Sequence, residues 1–217
     1  MSGFQLKVLA IITMLIDHIG AVLFPKVTIL RIIGRLAFPI FAYLISEGML
    51  HTSNIKKYLW RLFMFALISE IPFDLAFHGM LYDPNSQNVF FTLFLGLAAI
   101  AFLHTYFDKN PVLAIGFAAA AALLADFLRT DYGWFGVAAV ILFYCFRNYR
   151  AAGVFVFALL VAGYSLMGRT LEFYAIASGV PILLYNGKKG SLNWKYFFYA
   201  FYPVHLLLLY FVHMVVI

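Results

Sequence analysis

An aspartate and a histidine stand side by side in the first apolar stretch of the chain, LAIITMLIDHIGAVLFP. Neighbouring side chains on a helix point about 100° apart, so Asp17 and His18 each need a separate partner. Ionisable residues inside an apolar span are a functional-site hypothesis by default, and histidine titrates near neutral pH. A neutral His18 could accept a proton from an amine or a hydroxyl, oriented by Asp17 or by a carboxylate of another helix. The alternative is a buried polar pair that only ties helices together.

Two arginines follow in the second apolar stretch, LRIIGRLAFPIF. Arg31 and Arg35 are four residues apart and share one helix face. Either guanidinium could pair with Asp17 or hold an anionic group bidentately, although Arg31 could also be an interfacial anchor. Arg35 lies deeper and is the candidate for stabilising negative charge. Gly34 beside it would allow a neighbouring helix to approach closely.

The stretch SEIPFDLAF contains a pair of carboxylates. Glu70 and Asp74 lie one helical turn apart on one face, and Pro72 between them frees backbone groups. Two alternatives stay open for this pair. The carboxylates could form ion pairs with Arg31 and Arg35, or one of them could orient His18.

The last apolar stretch contains FYPVH. Pro203 interrupts the helical hydrogen bonds, and Tyr202 and His205 share a face near it. His205 is therefore a second candidate for catalysis or for substrate contact, with Tyr202 beside it. A hydrogen-bonded structural histidine is the alternative.

A further polar group stands where the second span ends, in EGMLHTSNIKKYLWR. Glu47 and His51 are four residues apart, and Lys56, Lys57 and Arg61 follow. The basic residues could meet the phosphates of a nucleotide-like donor. Binding of lipid headgroups is the routine alternative for a basic loop beside a membrane.

The composition requires lipid as the solvent for most of the chain. The 217 residues are 65% hydrophobic and 11% charged, whereas soluble domains are about 25% charged. We predict a single integral membrane domain over residues 1–217, an all-α polytopic helical bundle, and interpret the first apolar stretch as a span rather than a cleaved signal peptide. The predicted spans, about nine, are 6–24, 29–50, 58–78, 88–107, 111–127, 133–147, 151–167, 171–186 and 195–216.

The charges predict the orientation. Ten of the fifteen basic residues fall on the side of the N-terminus if nine spans alternate, which makes that side cytoplasmic and places the C-terminus outside. The net charge of +6 then reflects cytoplasmic loops, and no nucleic acid partner is predicted. Most acids lie in the outer half, where a polar site is the simplest explanation; they are Asp17, Glu70, Asp74, Asp83, Asp126, Asp131 and Glu172.

Several blocks of the sequence together resemble the TraX family. They are LKVLAIITMLIDHIG, LRIIGRLAFPIFAYLISEG, HTSNIKKYLWRLFMFALISEIPFDLAF, NVFFTLFLGL and FYAFYPVHLLLLY, which extend over nearly the whole chain. TraX proteins are polytopic inner-membrane proteins, named for one that acetylates the N-terminus of F-type pilin. The DH and YPVH elements also resemble membrane acyltransferases that use acetyl-CoA. The resemblance implies an acetyl-transferring fold in a bacterial inner membrane and points by motif match to Asp17, His18, Arg35, Glu47, Glu70 and Asp74.

The resemblance and the polar residues together predict a membrane acetyltransferase. Acetyl-CoA, the implied co-substrate, would approach from the cytoplasm near Lys56, Lys57 and Arg61, and His18 would be the general base. The acceptor would be an amine or a hydroxyl of a pilin or an envelope glycan. No zinc signature, phosphate-binding loop or nucleophile elbow occurs in the sequence, and no metal is predicted. Two alternatives are a proton-coupled transporter and a non-catalytic factor for maturation of pilus or envelope proteins.

Overall fold

The computed structural model describes residues 1–190 and 194–216, and that part of the chain is a bundle of helices with no β-strand. One isolated parallel bridge joins Gln87 and Thr130. The helices are α1 (Gly3–Val22), α2 (Thr28–Gly34), α3 (Ala37–His51), α4 (Ile55–His78), α5 (Val89–Tyr106), α6 (Pro111–Phe127), α7 (Gly133–Cys145), α8 (Arg150–Leu166), a 3₁₀ helix (Thr170–Ser178), α9 (Gly179–Leu183) and α10 (Lys195–Val216).

Each predicted segment coincides with a helix or with two consecutive helices. The segment predicted as one helix over 29–50 is divided at Arg35 and Leu36 into α2 and α3. Pro39 explains the division, because it has no N–H to donate to the carbonyl of Arg35 and is tolerated only in the first turn of a helix. The segment predicted over 171–186 is likewise divided into the 3₁₀ helix and α9.

Four helical units are long and apolar enough to cross a membrane. They are Gly3–Val22, Thr28–His51, Val89–Tyr106 and Tyr196–Val215. Four further apolar helices have 10–17 residues, and α4 is long but has acids and bases along its length. The helical class is therefore confirmed, whereas the number of nine spans is not, and the orientation stays a prediction. The side chain of Lys195, which that prediction counts as cytoplasmic, lies outside what the structure describes.

The loops of the bundle gather at two opposite ends. At the first, the backbone N–H groups of Gly3 and Phe4 donate to the carbonyls of Lys188 and Lys189. At the second, the turn after α6 joins the loop before α5, because Gln87 N–H donates to Arg129 and Asp131 N–H donates to Gln87. We refer to the first as the N-terminal end and to the second as the cavity end.

Glycines allow α1 and α2 to pack at very short distance. A Cβ atom on Gly20 would lie 2.7 Å from Cβ of Leu30, and one on Gly34 would overlap the side chain of Asp17. The predicted close approach at Gly34 is thus confirmed. Because Gly20 and Gly34 have no side chain of their own, Leu30 and Asp17 pack directly against the backbone of the other helix, and polar groups on α1 and α2 can meet at the cavity end.

Candidate functional site

A cavity of about 260 Å³ opens at the cavity end of the bundle. Side chains of α1, of α2 and α3, of α4, of α10 and of the turn after α6 line it. One wall is aromatic and contains Phe38, Phe41, Phe73 and Phe77. The polar lining consists mainly of Asp17, His18, Arg31, Arg35, His78, Asp131, Tyr132 and Tyr202.

His18 and His205 form a hydrogen-bonded pair across α1 and α10. Nδ1 of His18 lies 2.7 Å from Nε2 of His205, and Nδ1 of His205 lies 2.7 Å from the carbonyl oxygen of Phe201. A carbonyl oxygen only accepts, so Nδ1 of His205 holds a proton and its Nε2 is the acceptor when the ring is neutral. Nδ1 of His18 is then the donor, and the lone pair of neutral His18 is on Nε2.

This tautomer leaves His18 with a basic nitrogen at the cavity. Its Nε2 forms no hydrogen bond within the described residues, and the half-buried side chain lines the cavity. The orienting partner is therefore a histidine, whereas the sequence predicted a carboxylate. His205 is buried behind His18 and does not line the cavity, so the structure places it as a support for His18 rather than against a substrate.

Asp17 joins two arginines and, through one of them, a second acid. Its Oδ2 accepts from Nη1 of Arg31 and its Oδ1 accepts from Nη2 of Arg35, both at 2.7 Å. Nη1 of Arg35 donates to Oε1 of Glu172 at 2.5 Å. We call Asp17, Arg31, Arg35 and Glu172 the arginine network. It links α1 and α2 to the 3₁₀ helix, and its two positive and two negative charges balance.

Glu70 and Asp74 lie on one face of α4 as predicted, but neither pairs with an arginine of the network. Oε2 of Glu70 accepts from the side-chain amide of Asn88, which caps α5. Oδ2 of Asp74 accepts from the backbone N–H of Asp83 at 2.9 Å, and Oδ1 lies 3.4 Å from Nδ1 of His78. Neither of the two alternatives predicted for this pair occurs: contacts within α4 and the loop that follows it take the place of ion pairs with Arg31 and Arg35, and His18 is bound by His205 instead of by an acid of α4.

We call Glu70, Asp74, His78 and Asp83 the α4 acid cluster. Oε1 of Glu70, Oδ1 of Asp74 and Nδ1 of His78 are buried and form no hydrogen bond within residues 1–190 and 194–216. Only His78 of this cluster lines the cavity. Among the described residues, no group of three or more His, Cys, Asp or Glu side chains could hold a metal ion.

The predicted donor-binding residues lie at the N-terminal end, away from the cavity. Lys56 and Lys57 are exposed, and the Arg61 guanidinium lies 5.4 Å from the centre of the Tyr58 ring. Along α4, Arg61 is sixteen residues before Phe77 of the cavity wall, which corresponds to about 24 Å. One small group of a ligand therefore cannot contact both these cations and His18.

Glu47 and His51 also lie at the N-terminal end. Oε2 of Glu47 is 3.7 Å from Nε2 of His51, whose side chain is 69% exposed. The Glu47 carboxylate lies close to the Tyr185 side chain, and Arg150 donates to the Tyr185 carbonyl. The predicted i, i+4 pair thus forms, and Glu47 is part of the contact between α3 and the chain after α9.

Tyr202 lies where the sequence predicted a substrate contact. It lines the cavity beside His18, and the two ring centres are 5.8 Å apart in an edge-to-face arrangement. Its ring also packs edge-to-face against Phe90. Tyr202 therefore fixes the position of the His18 ring and closes the cavity toward α5.

The sequence interpretation missed three residues of the cavity end. The sequence predicts Glu172 and Asp131 only as members of the outer acid group, and no sequence pattern indicates a role for His78. Asp131 lines the cavity, and its side chain is exposed to solvent there. The backbone N–H of Asn85, which donates to Asp83, lowers the pKa of that loop carboxyl.

Comparison with known proteins gives one family and two relatives. A family model described as "TraX protein" matches residues 2–213. The chain is 32% identical to the "Probable fimbrial assembly protein FimC, serogroup H1" of Dichelobacter nodosus, over 96% of this chain and 94% of that protein. It is 31% identical to an uncharacterized protein of Rickettsia prowazekii (strain Madrid E), over 63% of this chain and 52% of that protein. No solved structure matches the chain.

Proposed function

The chain belongs to the TraX protein family, as its sequence motifs predicted, and on this premise we propose that it is a membrane-embedded acetyltransferase. We propose further that His18 is the general base. The single observation that carries the proposal is the histidine pair, in which the Phe201 carbonyl fixes the tautomer of His205 and His205 fixes that of His18. Nε2 of His18 then holds the lone pair, and the His18 side chain lines a cavity that a nucleophile could enter.

The proposed step is acyl transfer from a thioester. The lone pair of the acceptor nitrogen or oxygen forms a bond to the acetyl carbonyl carbon, and the acceptor proton goes to Nε2 of His18. The electron pair of the C=O π bond moves to oxygen and then returns as the carbon–sulfur bond breaks. The departing CoA thiolate takes the proton from His18. The products are the acetylated acceptor and CoA, and His18 returns to its starting state.

The size of the cavity restricts which part of acetyl-CoA it can hold. A volume of about 260 Å³ is below the range of about 300–1,000 Å³ usual for sites of drug-sized ligands. It suits the acetyl thioester and a small reacting group of the acceptor. In this proposal the nucleotide part of the donor lies toward the N-terminal end, where Lys56, Lys57 and Arg61 supply positive charge, and the extended pantetheine arm bridges the distance to the cavity.

The proposed location is the bacterial inner membrane, with the N-terminus in the cytoplasm and the cavity facing outward. The four helices of sufficient length and the excess of basic residues at the N-terminal end support this orientation. It separates a cytoplasmic donor from an acceptor presented at the outer side. The acceptor would be the N-terminal amine of a fimbrial subunit or a hydroxyl of an envelope glycan.

A second candidate is a non-catalytic factor in fimbrial assembly. The name of the Dichelobacter nodosus relative favours it, since that name describes assembly and no chemical reaction. In this case the polar side chains at the cavity would act through helix packing alone. Replacement of His18 would then leave fimbrial assembly intact as long as the protein still folds.

A transfer assay with a small nucleophile tests the enzyme proposal without knowledge of the acceptor. Purified protein in liposomes receives radiolabelled acetyl-CoA and hydroxylamine, and acetohydroxamate is measured against protein-free liposomes. We expect a rate above background for the wild type and for His104→Ala, a histidine outside the cavity. His18→Ala should lose roughly 10²–10⁴-fold, the usual contribution of a general base. Background rates for the wild type, together with normal fimbriation in cells carrying His18→Ala, would favour the assembly factor.

A further inference from the structure

Arg31 and Arg35 line the same cavity and bind the same carboxylate, yet their surroundings differ. The Arg35 side chain is 8% exposed and the Arg31 side chain is 28% exposed. The difference follows from their places in the chain, because Arg35 stands in the buried turn between α2 and α3, and Arg31 lies on the open face of α2. The two guanidinium groups therefore have different numbers of donors available to a ligand.

Arg35 uses all three of its nitrogens within the protein. Its Nη2 donates to Asp17, its Nη1 donates to Glu172, and its Nε lies 3.3 Å from the carbonyl oxygen of Arg31. Two carboxylates offset its single charge. Removal of either acid would leave the arginine network with one more positive than negative charge in a largely buried place, so Arg35 behaves as part of a structural ion-pair network.

Arg31 is bound through a single nitrogen. Its Nη1 donates to Oδ2 of Asp17 at 2.7 Å and lies 3.2 Å from the backbone oxygen of the same residue. Its Nε and Nη2 form no hydrogen bond within the described part of the chain. These two nitrogens form the side edge of the guanidinium, where two N–H bonds point in parallel and can bind one or two oxygen atoms. The group is thus held through Nη1, and its Nε–Nη2 edge is unoccupied in a side chain that lines the cavity.

Asp17 connects this free edge to the base. It holds Arg31 through its carboxylate and its backbone oxygen, and His18 is the next residue of α1. Asp17 therefore holds the donor edge of Arg31 next to the residue that provides the basic nitrogen, and the side chains of Arg31 and His18 line one cavity. Acyl transfer needs this combination, a base for the nucleophile and fixed donors for the oxygen on which negative charge develops.

We propose that Arg31, rather than Arg35, is the catalytic arginine. Its Nε and Nη2 donate to the acetyl carbonyl oxygen and stabilise the negative charge that this oxygen gains when the acceptor attacks. Asp17 is the positioning residue for Arg31, and Arg35 has a structural role. This inference rests on the proposed acetyl transfer, and it reverses the roles that the sequence suggested for the two arginines.

The hydroxylamine assay separates this inference from the proposed function. We expect Arg31→Gln to lower kcat by roughly 10²–10³-fold, as removal of an oxyanion donor does in other acyl transfers, with little change in KM for acetyl-CoA. Arg31→Lys should recover little of the loss, because an ammonium lacks the parallel edge. If the wild type and His18→Ala behave as expected but Arg31→Gln keeps the wild-type kcat, the role of Arg31 is wrong and the proposed function stands.

Chemical rescue distinguishes catalysis from packing. Low millimolar guanidinium should restore part of the activity of Arg31→Ala, because the open site admits a replacement donor. The same addition should not restore Arg35→Ala, whose defect is expected to be lower stability. The assignment would be overturned if guanidinium rescued both variants equally. It would also be overturned if guanidinium rescued neither variant while Arg31→Ala was fully folded and inactive.

Discussion

Two groups of charged side chains lie at the cavity end, and they differ in the contacts that compensate their charges. In the arginine network, both oxygens of the Asp17 carboxylate accept from an arginine, and the contacts cross α1, α2 and the 3₁₀ helix. In the α4 acid cluster, all members lie in α4 or in the loop after it, and three buried polar atoms form no hydrogen bond within the described residues. The first group connects distant parts of the chain, and the second fixes a helix end to its own loop.

The two groups should differ in how much they contribute to the stability of the protein. Ion pairs between well-buried groups are costly to break on one side, because the remaining charge stays buried. Replacement of Asp17, Arg35 or Glu172 should therefore lower the stability most, and replacement of Arg31, whose side chain is 28% exposed, should lower it less. The α4 acid cluster has spare polar atoms and a half-exposed histidine, so single replacements there should cost less. Neutral replacements in each group measure this difference.

The largest effect on stability is expected for Asp17→Asn. The amide has the size of the carboxylate but no charge, so Arg35 would keep Glu172 as its one acid and Arg31 would lose the only acid it contacts among the described residues. Breaking a buried ion pair from one side costs about 3–5 kcal/mol, and we expect a loss of that order in the free energy of unfolding. Denaturant titration in detergent micelles measures it. A loss no larger than that of Asp74→Asn would contradict the role given to the network.

A smaller loss is expected for Gly34→Ala. The added Cβ would overlap the Asp17 side chain, so α1 and α2 must separate or Asp17 must leave its arginines. Overpacking of this kind costs about 1–3 kcal/mol. Gly116→Ala in α6 is the matched control, because a Cβ there meets nothing within 4 Å. Thermal unfolding in detergent should show a lower Tm for the first variant only. A rise in Tm for Gly34→Ala would show that the two helices need no such close contact.

The smallest effect is expected for Asp74→Asn. The asparagine oxygen can still accept from the backbone N–H of Asp83, and the other carboxylate oxygen has no hydrogen bond to lose. The change in the free energy of unfolding should stay within about 1 kcal/mol, the net value of one ordinary hydrogen bond. The same titration as for Asp17→Asn gives the comparison. A loss of several kcal/mol would mean that the α4 acid cluster is as tightly coupled as the arginine network.

The sequence predicts local features of this site well. The length of each apolar stretch predicts where a helix lies. For α6 the observed bounds equal the predicted 111–127. A spacing of four residues places Glu70 with Asp74 and Glu47 with His51 on common helix faces. Adjacent helical side chains diverge, so the sequence also predicts that Asp17 and His18 have different partners, and the structure confirms it.

Partners that are distant in the chain could not be predicted in this way. Glu172 meets Arg35 across 137 residues, and His205 meets His18 across 187. Periodicity gives the face of each helix but not which helices pack together or at what rotation. Tertiary packing therefore determines that Glu172, rather than Glu70 or Asp74, is the second acid beside Arg35.

The most direct test of the histidine pair compares two replacements of His205 in the hydroxylamine assay. His205→Gln places an oxygen acceptor near the former Nε2, so His18 should keep its tautomer and the rate should stay within about tenfold of the wild type. His205→Leu removes the acceptor and should approach the loss of His18→Ala, roughly 10²–10⁴-fold. Wild-type rates for both His205→Leu and His18→Ala, at equal protein levels, would contradict the assignment of His18 as the base.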